Sequence, residues 1–194
     1  MDAVSKFVRG AILDIGCGRA EIISYLQKEE SVKYVGIDSN KELISDLKKR
    51  HSFVSFFPID VDNENLPPYI SESKFDTILL VAAIEHLRKP KRILGEASSI
   101  LREDGRLIIT TATPTGERIH NILAILGLTS RQAVEEHSRA AQSSYSYQDL
   151  LDLSLPLGYD VEIFQRFEFG FNQLMVLRKR TGACQHRSKC HATC

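Results

Sequence analysis

Residues 11–27, AILDIGCGRAEIISYLQ, join a short apolar run to an amphipathic segment through a turn that holds two glycines. Residues 11–15 predict a buried strand, and the apolar residues after the turn recur at the spacing of a helix. Gly16 and Gly18 would let a ligand approach the backbone closely, because glycine has no side chain. A strand, a glycine turn and a helix in this order are typical of the first unit of a parallel α/β sheet.

The same alternation of apolar runs and amphipathic segments continues to residue 111 and predicts a doubly wound α/β fold. Seven strands are expected, at residues 11–15, 34–38, 53–59, 75–81, 106–111, 159–167 and 171–178. Helices are expected at residues 20–28, 40–50, 90–101 and 147–155. Ser39 is expected to cap the second helix, and Asp104 and Gly105 predict a turn before the fifth strand.

The last third of the chain departs from this alternation. Residues 114–145 have no strand pattern but carry apolar residues at helical spacing, which predicts a helical insertion between strands five and six. The last two strands lie so close in sequence that only a hairpin can join them, so the last strand should run antiparallel to its neighbour. Phe167, Phe169 and Phe171 alternate and fit one face of this hairpin.

Composition excludes several function classes. The 25 Lys and Arg residues balance the 25 Asp and Glu residues, so strong attraction to nucleic acid or to an anionic membrane is not expected. No apolar stretch is long enough to span a bilayer. Three of the four cysteines fall in the last eleven residues, which argues against a disulfide framework and for a reducing, cytoplasmic location.

The chain divides into a domain over residues 1–180 and a basic tail over residues 181–194. The tail has no apolar periodicity and is expected to be disordered. Its soft ligands lack the paired CxxC spacing of a zinc site, so no metal is predicted. They are Cys184, His186, Cys190, His191 and Cys194.

An acid twenty residues after the glycine turn indicates an adenosine-bearing cofactor. Asp38 ends the second predicted strand, where a carboxylate can accept both hydroxyls of a ribose. The dinucleotide fingerprint needs Gly or Ala at position 21, but this chain has Glu21, which would also repel a phosphate at the helix N-terminus. A cofactor without phosphates, such as S-adenosylmethionine, removes the conflict.

At these positions the chain resembles the class I S-adenosylmethionine-dependent methyltransferases, over roughly residues 8–180. The matching stretches are LDIGCG at 13–18, VGID at 35–38, IDVDNENLP at 59–67 and FDTILLVAAIEHL at 75–87. The resemblance implies a Rossmann-like seven-stranded sheet with an antiparallel last strand. It also implies methyl transfer to a small-molecule, lipid or sugar-like oxygen or nitrogen acceptor, with S-adenosylhomocysteine as product. Many relatives carry a third glycine where this chain has Ala20.

The resemblance also implies a set of cofactor-binding residues. Those around the methionine part and the ribose are Asp14, Gly16, Cys17, Gly18 and Asp38, with the backbone of Leu80 and Val81 at the methionine amino group. Those at the adenine are Ser39, Asp60 and the backbone N–H of Val61. Asp62 remains an alternative to Asp60, because both acids of the DVD stretch have the same side-chain parity.

His86 is the candidate catalytic residue, since an imidazole after the fourth strand could take a proton from the acceptor. A structural role is its alternative, because methyl transfer can run on proximity and alignment alone. Cys17 is interpreted as a packing residue and not as a nucleophile. Two other functions stay open: a methyltransferase-like binding module without catalysis and, less favoured, a nicotinamide-dependent oxidoreductase.

Overall fold

The computed structural model describes residues 1–26, 33–125 and 144–180. Its strands are β1 (Ile12–Ile15), β2 (Tyr34–Asp38), β3 (Ser55–Pro58), β4 (Phe75–Val81), β5 (Leu101–Ala112), β6 (Tyr159–Phe167) and β7 (Asn172–Lys179). Its α-helices are α1 (Asp2–Ser5), α2 (Ile23–Leu26), α3 (Lys41–Arg50), α4 (Pro68–Ser71), α5 (Pro90–Ile100), α6 (Pro114–Ile125) and α7 (Tyr147–Ser154). Single 3₁₀ turns lie at Ile84–His86, Leu155–Leu157 and Glu168–Gly170.

All seven described strands form one sheet in the order β3-β2-β1-β4-β5-β7-β6. The pairs among β1 to β5 are parallel, whereas β7 runs antiparallel to both β5 and β6. The predicted doubly wound sheet with an antiparallel last strand is therefore confirmed. Strand bounds match the prediction for β2, β4 and β6.

Apolar side chains cover both faces of the sheet. One face packs against residues of α4, α5 and α7, and the other packs against residues of α1, α2 and α3. All four residues of β1 are buried, as expected for a central strand of a parallel sheet. Among the described helices, none is long and apolar enough to cross a bilayer.

Three local predictions are wrong: those for Ser39, for Asp104 and Gly105, and for Phe169. Asn40, and not Ser39, caps α3, because its side-chain oxygen accepts a hydrogen bond from the Leu43 N–H at 2.9 Å. β5 begins at Leu101, so Asp104 and Gly105 lie inside an irregular part of the β4–β5 pairing and not in a turn between elements. The strand starts early because buried Leu101 already pairs with Phe75.

Phe169 does not lie on a face of the closing hairpin. It lies in the 3₁₀ turn between β6 and β7, where its φ of 57° turns the chain and its side chain is 99% exposed. The insertion begins as helix α6, as predicted. The rest of that prediction, residues 126–143, lies outside the described residues, as do the tail at 181–194 and the end of the helix predicted at 20–28.

Candidate functional site

A crevice opens where the strand order reverses. β1 has β2 on one side and β4 on the other, and the β1–β4 pairing ends at Asp14 and Leu79. β4 continues to Val81 paired only with β5, so the backbone of Leu80 and Val81 has no strand partner on the β1 side. Ligands of open α/β sheets bind at such switch points, outside the carboxyl ends of the strands.

The glycine loop after β1 forms one wall of this crevice. The N–H groups of Gly16 and Cys17 both donate to the Ile37 carbonyl, at 2.9 and 3.0 Å, which holds the loop on β2. Gly16 has a φ of +70°, and a Cβ there would lie 2.8 Å from the Cβ of Ala83. Glycine is therefore required at position 16, both for the turn and for the close approach of the loop after β4.

Asp38 joins the glycine loop to the loop after β2. One carboxylate oxygen accepts a hydrogen bond from the Gly18 N–H at 3.0 Å, and the other accepts from the Asn40 N–H at 2.9 Å. Each oxygen of a carboxylate can accept about two hydrogen bonds. Asp38 is thus held rigidly by the backbone and keeps acceptor capacity for two hydroxyl groups.

Asp14 is a buried acid with one unsatisfied oxygen. Its side chain is 3% exposed, and the Tyr34 hydroxyl donates to Oδ2 at 2.6 Å. Oδ1 has no hydrogen-bond partner among the described residues. Burial is the main reason that the pKa of Asp14 is raised to about 7; the Tyr34 hydrogen bond lowers this pKa, and the nearby Asp38 carboxylate adds to the rise. A cation bound beside Oδ1 would supply the missing partner and favour the ionised form.

Tyr34 was missed by sequence reasoning, although it orients Asp14. It begins β2 and pairs in register with Ile12, two residues before Asp14 on the same face. The sequence feature that could have indicated Tyr34 is a hydroxyl-bearing residue at the start of the apolar strand YVGID. Cys17 lies buried in the core beside these groups, and burial raises the pKa of its thiol. A thiolate nucleophile at Cys17 is therefore disfavoured.

The two acids of the DVD stretch have different surroundings. Asp62 accepts hydrogen bonds from the backbone N–H groups of Arg88 and Lys89, at 3.0 and 3.1 Å, and so ties its loop to the segment before α5. Asp60 accepts only locally, from the Asn63 amide and the Asp62 N–H. The Asn63 hydrogen bond holds the pKa of Asp60 below its usual value. The Asp62 carboxylate is therefore used in tying two loops together, whereas the Asp60 carboxylate makes only local hydrogen bonds among the described residues.

The remaining predicted residues lie on the loops at this edge. Val61 is buried after β3, and its carbonyl accepts a hydrogen bond from the Arg92 guanidinium. Ser39 is an exposed bend between Asp38 and the Asn40 cap. His86 ends the 3₁₀ turn after β4, half-buried, and its Nδ1 has no hydrogen-bond partner among the described residues. Strand order therefore gathers the predicted residues at one edge of the sheet.

Backbone conformation at this edge is unusual as well. Ala20 and Ala82 have φ values of 53° and 49°, a region that favours glycine. Ala20 is 3% exposed and packs in the core, so its methyl group fills the core and does not narrow the crevice.

The seven-stranded sheet with its antiparallel last strand, the glycine loop and the acid at the end of β2 agree with the resemblance to the class of S-adenosylmethionine-dependent methyltransferases. A family model described as a methyltransferase domain matches residues 2–161, and the chain belongs to this family.

The curated relatives and solved structures agree with this class. Phthiotriol/phenolphthiotriol dimycocerosates methyltransferase 1 of Mycobacterium ulcerans is 28% identical over 152 residues, 75% of this chain and 55% of that protein. Fatty-acid O-methyltransferase of Mycolicibacterium smegmatis is 28% identical over 104 residues, 53% of this chain and 37% of that protein. An S-adenosylmethionine-dependent methyltransferase of Mesorhizobium loti has the same fold, with a TM-score of 0.72, 14% identity, and 92% and 96% of the two chains covered. The chain spans about half or less of the length of these curated relatives.

Proposed function

We propose that the protein transfers a methyl group from S-adenosylmethionine to an oxygen or nitrogen of a small-molecule, lipid or sugar-like acceptor. The observation that carries this proposal is the pair of acids at the crevice, Asp38 with free acceptor capacity and Asp14 with an unpartnered Oδ1. The first suits ribose hydroxyls, and the second suits the cationic methionine end of the cofactor. The names of the two mycobacterial relatives support a lipid or small-molecule acceptor.

The cofactor-binding residues take these roles in the proposal. Asp38 accepts the ribose hydroxyls, Gly16 and Gly18 give room for close approach, and Asp14 lies beside the methionine end, with Cys17 packed behind it. Ser39, Asp60 and the Val61 N–H lie at the adenine. The backbone of Leu80 and Val81, free of a strand partner on the β1 side, binds the methionine amino group.

The cofactor supplies an electrophilic methyl group on a sulfonium. A bond forms between that methyl carbon and the acceptor oxygen or nitrogen while the carbon–sulfur bond breaks, and S-adenosylhomocysteine leaves with the electron pair. The acceptor also loses one proton. We assign His86 as the residue that takes it, since its half-buried ring follows β4 and has an unpartnered Nδ1. Crevice residues otherwise act by alignment and by excluding water.

Calorimetric titration with S-adenosylmethionine and S-adenosylhomocysteine tests the proposal, with NAD as comparator. Asp38→Asn keeps the shape of the side chain but removes its charge, so we expect binding to weaken about tenfold or more. Asp46→Asn is the matched control, because Asp46 pairs with Lys49 and Arg50 on the surface of α3, and it should bind as the wild type does. Absence of binding by folded protein, or tighter binding of NAD, would contradict the proposal.

A further inference from the structure

A second cleft of about 360 Å³ lies beside the crevice, where β5 meets α6 and the 3₁₀ turn joins β6 to β7. The lining residues that matter are Thr113, Thr115, Arg166, Phe169, Phe171 and Gln173. β5 pairs directly with β4, and neighbouring strands lie about 5 Å apart. A single strand, β5, therefore separates this cleft from the carboxyl end of β4.

The wall of the cleft is firmly built. A Cβ on Gly116 would lie 2.1 Å from the Phe171 carbonyl oxygen, so the first turn of α6 packs backbone to backbone on the β6–β7 turn. Thr113 connects the two: its N–H donates to the Phe171 carbonyl at 2.8 Å, and its hydroxyl donates to the Gly170 carbonyl at 2.9 Å. The same hydroxyl oxygen accepts from the Gly116 N–H at 3.0 Å.

Among the described residues, the cleft holds one buried polar atom without a partner, on Gln173, and one exposed arginine without an ion pair, Arg166. Gln173 is 1% exposed, and its Nε2 donates to the Tyr145 carbonyl at 2.5 Å, but its Oε1 has no partner among the described residues. Arg166 lies directly across the β6–β7 pair from Gln173, so the two side chains share a face. Within the described ranges the Arg166 guanidinium makes no ion pair. By contrast, ion pairs are made by Arg106 on β5, Arg178 on β7 and Arg180 just after β7.

The cleft also has an exposed aromatic side. Phe169 is 99% exposed on a turn residue with positive φ, a conformation that is unfavourable for a phenylalanine. Phe171 lines the same side. Strained backbone of this kind is typical of ligand sites.

We propose that this cleft binds the methyl acceptor, and that the acceptor is a carboxylic acid with an apolar body. Its carboxylate pairs with Arg166, its body packs on Phe169, and an O–H or N–H group donates to Gln173 Oε1. A single guanidinium matches a monoanion and its fork matches a carboxylate. This inference rests on the proposed function, because it names the acceptor class for that reaction.

Calorimetric titration of the full chain tests it, with and without saturating S-adenosylhomocysteine. The probes are 4-hydroxycinnamate, which carries the O–H group, and 3-phenylpropanoate and decanoate, which lack it and test the carboxylate and the apolar body alone. Each is measured beside its primary amide. We expect at least one carboxylate to bind about tenfold or more tightly than its amide. Arg166→Gln should abolish that preference, and Phe169→Ala should weaken acid and amide alike.

Arg178→Gln is the matched control, since Arg178 lies on the partner strand and pairs with Asp104 at the other edge of the sheet. It should keep the full preference for carboxylates. Equal binding of acids and amides, no binding of any acid at millimolar concentration, or an unchanged preference in Arg166→Gln would overturn the inference. These outcomes concern the cleft alone, whereas loss of S-adenosylhomocysteine binding would count against the proposed function.

Discussion

The two edges of the sheet, at the amino and the carboxyl ends of the parallel strands, differ in how fully their polar groups are hydrogen-bonded. At the amino ends of the parallel strands, polar atoms find partners within the chain. Asp76 accepts hydrogen bonds from the Ala11 N–H at 2.8 Å and from Arg102 at 2.6 Å. The Thr77 hydroxyl both accepts from the Arg9 N–H and donates to the Arg9 carbonyl, and Arg106 pairs with Glu162.

At the carboxyl ends, several buried polar atoms have no partner among the described residues. They are Asp14 Oδ1, His86 Nδ1, Thr111 Oγ1 and Gln173 Oε1. The non-glycine residues with positive φ also lie at this edge, at Ala20, Ala82, Glu168 and Phe169. Unsatisfied buried groups and strained backbone both cost free energy, so this edge lowers the stability of the fold.

The contrast extends to the pKa values of the two edges. Desolvation would raise the pKa of Asp76, but the hydrogen bonds from Ala11 and Arg102 hold it below its usual value. Burial raises the pKa of Asp14 to about 7. An acid with a lowered pKa stabilises the fold above its unfolded pKa, whereas an acid with a raised pKa weakens the fold as it ionises. The acid at the amino ends therefore stabilises the fold, whereas the acid at the carboxyl ends destabilises it unless a ligand pairs with the carboxylate.

The largest expected effect comes from Asp14→Asn. The unfolded chain releases the Asp14 proton near the ordinary aspartate pKa of 3.8, but the folded chain keeps it until about pH 7. Over this window the free energy of unfolding of the wild type should fall as the pH rises, by up to about 4 kcal/mol from this group. Asn cannot ionise, so over the same pH window the free energy of unfolding of Asp14→Asn should rise by that amount relative to that of the wild type.

Urea unfolding of ligand-free protein at about pH 4 and about pH 8, which bracket nearly the whole window, measures this difference. Tyr34→Phe provides the control, because removing the hydrogen bond to Oδ2 should raise the pKa of Asp14 further and move the window upward. Parallel pH curves for the wild type and Asp14→Asn would show that the fold does not raise the pKa of Asp14.

Gly10→Ala tests the stabilising edge and has the next largest effect. Gly10 has a φ of +60°, and a Cβ there would lie 2.3 Å from Asp76 Oδ2. The methyl group must displace the Asp76 carboxylate from Ala11 while the backbone is also strained, so we expect a loss of about 3 kcal/mol. Gly158→Ala is the control, since its φ is +84° but no atom lies within 4 Å. That change should cost only about 1 kcal/mol. Similar losses for both variants in chemical unfolding would argue against the Asp76 contact.

Ala82→Gly has the smallest expected effect and the opposite sign. Ala82 is exposed with a φ of 49°, so glycine relieves the strain but makes the unfolded chain more flexible. The net expectation is a gain of about 0.5 kcal/mol in unfolding free energy. Ala112→Gly, at the end of β5 where φ is not positive, should instead lose a similar amount. Thermal unfolding separates the two, and a loss at both positions would rule out strain at Ala82.

Sequence reasoning predicted the sheet well where the signals were local. Continuous apolar runs gave the bounds of β2 and β4, and the glycines at 16 and 18 gave the loop. The prediction that Ser39 caps α3 was wrong, although serine is a good cap. The Asp38 carboxylate takes the Asn40 N–H, and this places Asn40 at the start of α3.

The candidate site shows the same division. The sequence left Asp60 and Asp62 open as the adenine partner, because both have the same parity. Their difference depends on Arg88 and Lys89, 26 and 27 residues away, whose N–H groups occupy Asp62. Phe169 was misplaced because three alternating phenylalanines resemble a strand, while the turn there depends on how β6 and β7 pair.

By itself the sequence determined the periodicity of each element, the glycine loop and the position of Asp38 at a strand end. Those features depend on residues close together in the chain, so they can be read without the fold. Only the tertiary structure decided which polar groups found partners. Strand pairing brought Tyr34 to Asp14 and placed Arg166 opposite Gln173. Whether a buried polar group finds a hydrogen-bond partner depends on neighbours that are distant in sequence, and only the tertiary fold brings those neighbours together.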